Sequence, residues 1–248
     1  ILFAHASAHS LITLLNRHEL VEATQDADGV DILYRDIDAG TEHRARAAYL
    51  IGCDGGRSLV RKTIGATLSG DPVVQRVQST YIRAPKLLEM MHGRPGWMNL
   101  SLNPRRSGNT VAIDGKEKWL IHCYLYEHEE DFDAIDSVAS FRRSLGVGDH
   151  FDYETIAYED WIGRRLIADK FRDRRMFICG DSAHLWVPYA GYGMNAGIAD
   201  AMNLSWLLAA TLNGWGGEHL LDAYEAERLP ITEQVSHYAM NHALGRSR

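Results

Sequence analysis

Two carboxylates sit where short apolar runs break at glycine: Asp54, after the run Ala47 to Cys53 and before Gly55-Gly56, and Asp181, after Met176 to Cys179 and Gly180. Downstream of Asp181 come His184, Pro188, Gly191 and Gly193. Met194 and Asn195 then begin a stretch of helix formers reaching Leu212, with Gly214 placed as a C-terminal stop. A carboxylate at a strand end, a glycine loop and a helix N-terminus together make a polar ligand site. His184 has a side chain whose unperturbed pKa lies near ~6.5, so it could act as an acid or base, although a structural hydrogen bond is its favoured role.

These residues need elements to position them. Met176 to Cys179 reads as a buried strand, and Ala47 to Cys53 as another. Ser58 is placed to cap a helix running through Val60, Arg61 and Ile64. Upstream, residues 1 to 20 read as a helix with Leu11, Ile12, Leu14 and Leu15 on its apolar face. Val21 to Ala48 reads as hairpin material turning at Asp26-Ala27-Asp28-Gly29 and again near Gly40. From Asp71 the texture changes to strands at Val73 to Arg83, Trp97 to Leu102, Asn109 to Ile113 and Trp119 to Tyr126. A turn is expected at Gly93-Arg94-Pro95-Gly96, and a helix over Ser137 to Leu145 that ends at Gly146. This block reads as a mostly antiparallel sheet inserted between two α/β pieces. Leu220 to Ala243 reads as one or two helices, with Pro230 as a first-turn residue or a kink.

Composition narrows the function classes. The chain has 248 residues, and its 46% hydrophobic content supports a sizeable core; a net charge of -7 gives no sign of non-specific nucleic-acid binding. Three cysteines at spacings that match no zinc pattern, and no H-E-x-x-H, give no metal site. Cys53 and Cys179 read as small buried hydrophobes, and a reducing cytoplasm fits them. No apolar run approaches the ~20 residues a membrane span needs.

Two stretches carry a family signal. DGGRSLVR, Asp54 to Arg61, resembles the Asp-Gly motif of class A flavoprotein monooxygenases, the p-hydroxybenzoate hydroxylase and phenol hydroxylase superfamily. GDSAHLWVPYAGYGMNAGIADAMNLSWLLA, Gly180 to Ala209, resembles their Gly-Asp motif. Motif order and separation match, and AYEAERLP, Ala223 to Pro230, is similar to the family's following helix. The resemblance implies an α/β fold: part of an FAD-binding Rossmann-like domain over 1–70, a β-rich substrate-binding insert over 71–160, and the FAD-binding domain resumed with C-terminal helices over 161–248. The family's G-x-G-x-x-G unit, which holds the ADP part of FAD, does not occur here, so the chain reads as a fragment or one piece of a larger protein.

For the site, the resemblance implies that Asp181, beside Gly180, bonds a ribityl or ribose hydroxyl of FAD, a role that suits an acceptor-only carboxylate. Gly191, Gly193, Met194 and Asn195 would place N–H groups against the pyrimidine edge of the flavin ring, where the helix end favours negative charge. Pro188 would line the flavin face or rigidify its loop. Asp54 would sit near the pyrophosphate, with Gly55 serving the turn. Ser58 and Arg61 match the motif, and Arg61 is open to phosphate contact or a surface ion pair. His122, Tyr124, Tyr81 and Trp97 in the insert are pocket candidates, although aromatic residues in strands are more often core; Tyr189 and Tyr192, beside the loop, are the better candidates. The implied reaction is FAD-dependent hydroxylation of a small phenolic substrate with O2 and with NADPH or NADH. A halogenase, epoxidase or reductase on the same fold, or a non-catalytic fragment unable to hold FAD, are the alternatives. A homodimer is an assembly the resemblance allows.

Overall fold

A computed structural model describes residues 1–91, 96–188, 191–217 and 219–244. Gly93, Arg94 and Pro95 of the expected turn, and Tyr189, lie outside the described residues. In chain order the elements are α1 (Leu2–Ala8), β1 (His18–Gln25), β2 (Val30–Asp36), β3 (Glu42–Ala47), β4 (Leu50–Gly52), α2 (Leu59–Thr63), β5 (Leu68–Arg83), α3 (Leu87–Met90), β6 (Met98–Ser101), β7 (Gly108–Ala112), β8 (Lys118–Tyr124), α4 (Ser137–Leu145), β9 (Glu154–Ala168), β10 (Arg172–Asp173), β11 (Met176–Ile178), β12 (His184–Leu185), α5 (Tyr192–Leu212) and α6 (Asp222–Leu244). The architecture is mixed α/β, and the chain divides into two units, one of Ile1–Gly70 with Leu166–Arg248 and one of Asp71–Arg165.

In the first unit β1, β2 and β3 form an antiparallel meander. Asp26 makes its first turn by accepting the amides of Asp28 and Gly29, the local bonding for which Asp is favoured in turns. The first twenty residues depart from the expected single helix. Only Leu2–Ala8 is helical, and none of its residues is buried. His18 to Leu20 are instead taken into β1 by pairing with β2, a non-local ladder that local periodicity does not report. Leu11, Ile12, Leu14 and Leu15 are left exposed.

The second sheet of this unit runs β10-β11-β4, and β4 and β11 are parallel with Gly52 opposite Ile178. Parallel pairing brings the ends of both strands, and so the loops after Gly52 and Ile178, to the same edge, where open α/β sheets hold ligands. Val60 of α2 and Ile64 just after it, Phe177 and Ile178 of β11, Leu204 and Leu207 of α5 and Tyr224 of α6 share one core. α6 continues through Pro230 as a single helix. Among the described residues no helix is long and apolar enough to cross a membrane.

The second unit is built on an antiparallel sheet in which β5 pairs β8, β8 pairs β7 and β7 pairs β6, with β9 beyond β5. Alternation gives it two faces. Ile82, Trp119, Ile121 and Cys123 pack with Phe141 of α4 on one. Asp136 caps α4 by accepting the amides of Val138 and Ala139, and Gly146, at φ 73°, closes it, the left-handed end that glycine allows.

Candidate functional site

The loop after β4 is built by its own side chains. Asp54 accepts the Ser58 hydroxyl at 2.5 Å and the amides of Leu59 and Val60 at 2.7 and 3.1 Å. Ser58 in turn caps α2 by accepting the Arg61 amide. Gly55, at φ 75°, makes the turn between them, a backbone region that costs other residues about 1–2 kcal/mol. Arg61 is buried, and its guanidinium donates to the carbonyls of Ser182 and Gly56 at 2.9 and 2.8 Å. It therefore ties this loop to the one after β11. Burial lowers its pKa.

The loop after β11 is a single turn, Gly180–Ser182. Gly180 has φ 58°, and a Cβ there would come within 3.6 Å of the Gly197 Cα on α5, so glycine faces glycine where loop and helix meet. The Gly180 amide donates to Asp200 of α5. The Ser182 hydroxyl lies on the carbonyls of Gly52 and Cys179, binding the two parallel strands where they end. Asp181 alone in this turn points outward. It is exposed, and its carboxylate makes no hydrogen bond among the described residues.

His184 is buried in this unit and bonds Asp200 through Nε2 at 2.7 Å. Its ring stacks on Trp186 with centroids 4.6 Å apart. These contacts make it a structural histidine.

Helix α5 starts from Gly191, which is exposed with φ 69°, and no side chain caps it. The Gly191 amide donates to the Pro188 carbonyl, and Asn195 Nδ2 donates to the Gly191 carbonyl. A Cβ on Gly191 or Gly193 would meet no atom within 4 Å. Pro188, Gly191, Tyr192, Met194 and Asn195 are exposed and Gly193 half-buried. The helix therefore offers an open, positively polarised end, its first-turn N–H groups having no intrahelical acceptor.

The candidates thus collect around the ends of β4 and β11, and they divide by what their polar atoms do. Asp54, Ser58 and Arg61 are occupied with holding the loops. The Asp181 carboxylate and the first amides of α5 after Gly191 have no hydrogen-bond partner among the described residues. Cys53, expected to be buried, is exposed because it lies one residue past the last paired position of β4, whereas Cys179 is buried as expected. Sequence reasoning missed Gly197, Asp200 and Arg228. The Gly-x-x-Asp spacing of 197 and 200 on an otherwise apolar helix was the available signal for the first two. Of the insert candidates, Tyr81, His122 and Tyr124 are half-buried on the sheet of the second unit, while Trp97 is exposed.

Comparison with known proteins gives the following. A family model described as FAD binding domain matches residues 1–239. A putative polyketide hydroxylase of Streptomyces halstedii is 36% identical over 222 residues, 88% of this chain and 40% of that one. A 4-methyl-5-nitrocatechol 5-monooxygenase of a Burkholderia species is 33% identical over 222 residues, covering 86% of this chain and 40% of that one. Among solved structures, a ternary complex of aklavinone-11 hydroxylase with FAD and aklavinone superposes with a TM-score of 0.81 at 28% identity, over 90% of this chain and 42% of the other. The chain therefore spans about two fifths of the length of the relatives it matches.

Proposed function

This chain belongs to the FAD binding domain family of class A flavin monooxygenases, and from that membership we propose that the protein of which it is part hydroxylates a small aromatic substrate, using FAD, O2 and NAD(P)H. The observation that carries the proposal is the pairing of an exposed carboxylate, Asp181, with the N-terminus of α5, the one unbonded and the other uncapped among the described residues, on a loop and helix that meet at Gly180 and Gly197. That donor and acceptor set fits the ring-and-ribityl half of FAD. Asp181 would accept from a ribityl hydroxyl. The α5 amides past Gly191 would face the ring's polar edge, where they stabilise negative charge. Pro188 would bound the ring's face.

The flavin supplies redox and oxygen chemistry when bound, and the protein supplies position, dryness and electrostatics. Asp54, Ser58 and Arg61 hold the loops that present these groups. The half-buried aromatic face of the second unit fits a role in binding the aromatic substrate. FAD titration into the whole chain, followed by quenching of flavin fluorescence, tests the cofactor role, and NAD(P)H oxidation stimulated by a panel of phenols tests the reaction. A chain that neither quenches nor retains FAD would favour the reading of a piece unable to hold the cofactor alone.

A further inference from the structure

On the sheet face of the second unit opposite the apolar core, one row is polar. Ser79 of β5, His122 of β8 and Asn109 of β7 are direct register partners across three strands. Ser79 Oγ lies 2.7 Å from His122 Nδ1, and Trp161 of β9 donates its indole N–H to the same oxygen at 2.7 Å. The Trp161 ring stands edge-on to His122, centroids 5.8 Å apart at 89°.

The chemistry of the donors fixes the direction of this chain. An indole N–H only donates, so Ser79 accepts it. The Ser79 proton then has one bonded acceptor among the described residues, His122 Nδ1. A neutral imidazole whose Nδ1 accepts carries its proton on Nε2. Burial lowers the pKa of His122, which keeps the ring neutral. Nε2 makes no hydrogen bond among the described residues, and Tyr81, Leu120 and Val111, the next register row on the same face, are half-buried.

We propose that Trp161, Ser79 and His122 form a one-way donor chain that ends at His122 Nε2–H and binds an acceptor oxygen, a phenolate or ring carbonyl, of the aromatic substrate. The identity of the ligand as that substrate rests on the hydroxylase reading above. A chain of this polarity selects the ionised ring over the neutral phenol. The ionised ring is the more electron-rich form, so binding and activation coincide. His122 is the residue that touches the ligand, and Ser79 and Trp161 are positioning residues.

Two measurements on the whole chain test this without flavin. Long-range 15N–1H correlation spectra of histidine-labelled protein, with His122 assigned by the loss of its signals in His122→Phe, should show the neutral Nε2–H form near neutral pH. Trp161→Phe should shift it toward Nδ1–H, because Ser79 is then free to accept. With 4-nitrophenol, held at a pH equal to its pKa in solution, binding should raise the phenolate absorbance, and His122→Phe should weaken binding about tenfold or more while circular dichroism stays unchanged. An Nδ1–H or doubly protonated His122 in the wild type, or nitrophenol binding that is absent or equal in His122→Phe, overturns the proposal. Failure to bind FAD in a parallel titration bears on the cofactor reading alone.

Discussion

His184 Nε2 and Asp200 Oδ2 lie 2.7 Å apart with both side chains withdrawn from solvent, and the second oxygen of that carboxylate takes Arg228 Nε at 2.8 Å. The Gly180 amide donates to Oδ2 as well. One buried carboxylate therefore joins the loop after β11, α5 and α6. Burial by itself would raise the Asp200 pKa. The hydrogen bond and charge of His184, the Gly180 amide and Arg228 outweigh it, so the net shift is downward. Asp200→Asn keeps the shape but leaves Arg228 without its countercharge, and should cost about 3–5 kcal/mol in urea unfolding near neutral pH. A group whose folded pKa lies below its unfolded value contributes stability that is full above the unfolded value, about 3.9, and is lost as pH falls through the folded one. The difference between wild type and variant should therefore hold steady near neutrality and shrink in acid. Equal unfolding midpoints at neutral pH would remove Asp200 as the clamp.

What was legible in the chain follows the range of the interaction that writes it. The turn at Asp26, the cap at Ser58, the stop at Gly146 and the helix entry at Gly191 are made by residues within a few positions of each other, and residue type alone announces them. Four strands of the second unit, β5 to β8, were also readable, because one face of the sheet is core and alternation marks it; β9 was not, since its first six residues are all exposed and carry no alternation of burial. Asp200 was not, since its partners His184 and Arg228 lie 16 and 28 positions away. Arg61 belongs to the same class: its acceptor at Ser182 is 121 positions distant. The resemblance named the loops, but the division of labour within them needed three-dimensional partners.

Cys53 offers a second measurable consequence of the parallel strand pair. The neighbouring Cys179 holds the Cys53 thiol down to about 7, against desolvation and the charges of Asp54 and Asp200. Cys179 shifts upward correspondingly. Thiolate is the reactive form, so iodoacetamide labelling of Cys53, followed by peptide mass spectrometry, should rise with pH through a midpoint near 7. Cys123, which burial pushes up to about 12, should stay unlabelled in the folded chain. Cys179→Ala should move the Cys53 midpoint upward toward about 8.5; a midpoint that does not move would dissociate the two thiols.

Asp54 and Ser58 should behave as fold residues. The Asp54 carboxylate is engaged by one hydroxyl and two amides, so Asp54→Ala removes a helix-start cap worth about 1–2 kcal/mol. In a chain of this size that amounts to a fall in Tm of a few degrees. Asp54→Asn keeps an acceptor and should recover part of it. If FAD affinity in Asp54→Ala drops far more than the stability loss accounts for, Asp54 contacts the cofactor directly and the cap is its secondary role.

Asp181 should show the opposite pattern. Its carboxylate is exposed and unbonded among the described residues, so Asp181→Ala should leave the unfolding midpoint within about 0.5 kcal/mol of wild type. If it accepts a ribityl hydroxyl, the lost bond involves a charged acceptor, worth about 1.5–3 kcal/mol. FAD affinity should then fall by about tenfold to a hundredfold. Asp181→Asn retains a neutral acceptor and should lie between. Because the Gly180 amide and Ser182 hydroxyl hold the turn independently of residue 181, neither variant should disturb Asp54, Arg61 or the α5 start. Equal FAD dissociation constants for wild type and Asp181→Ala, measured by fluorescence quenching, would remove Asp181 as a contact of the cofactor.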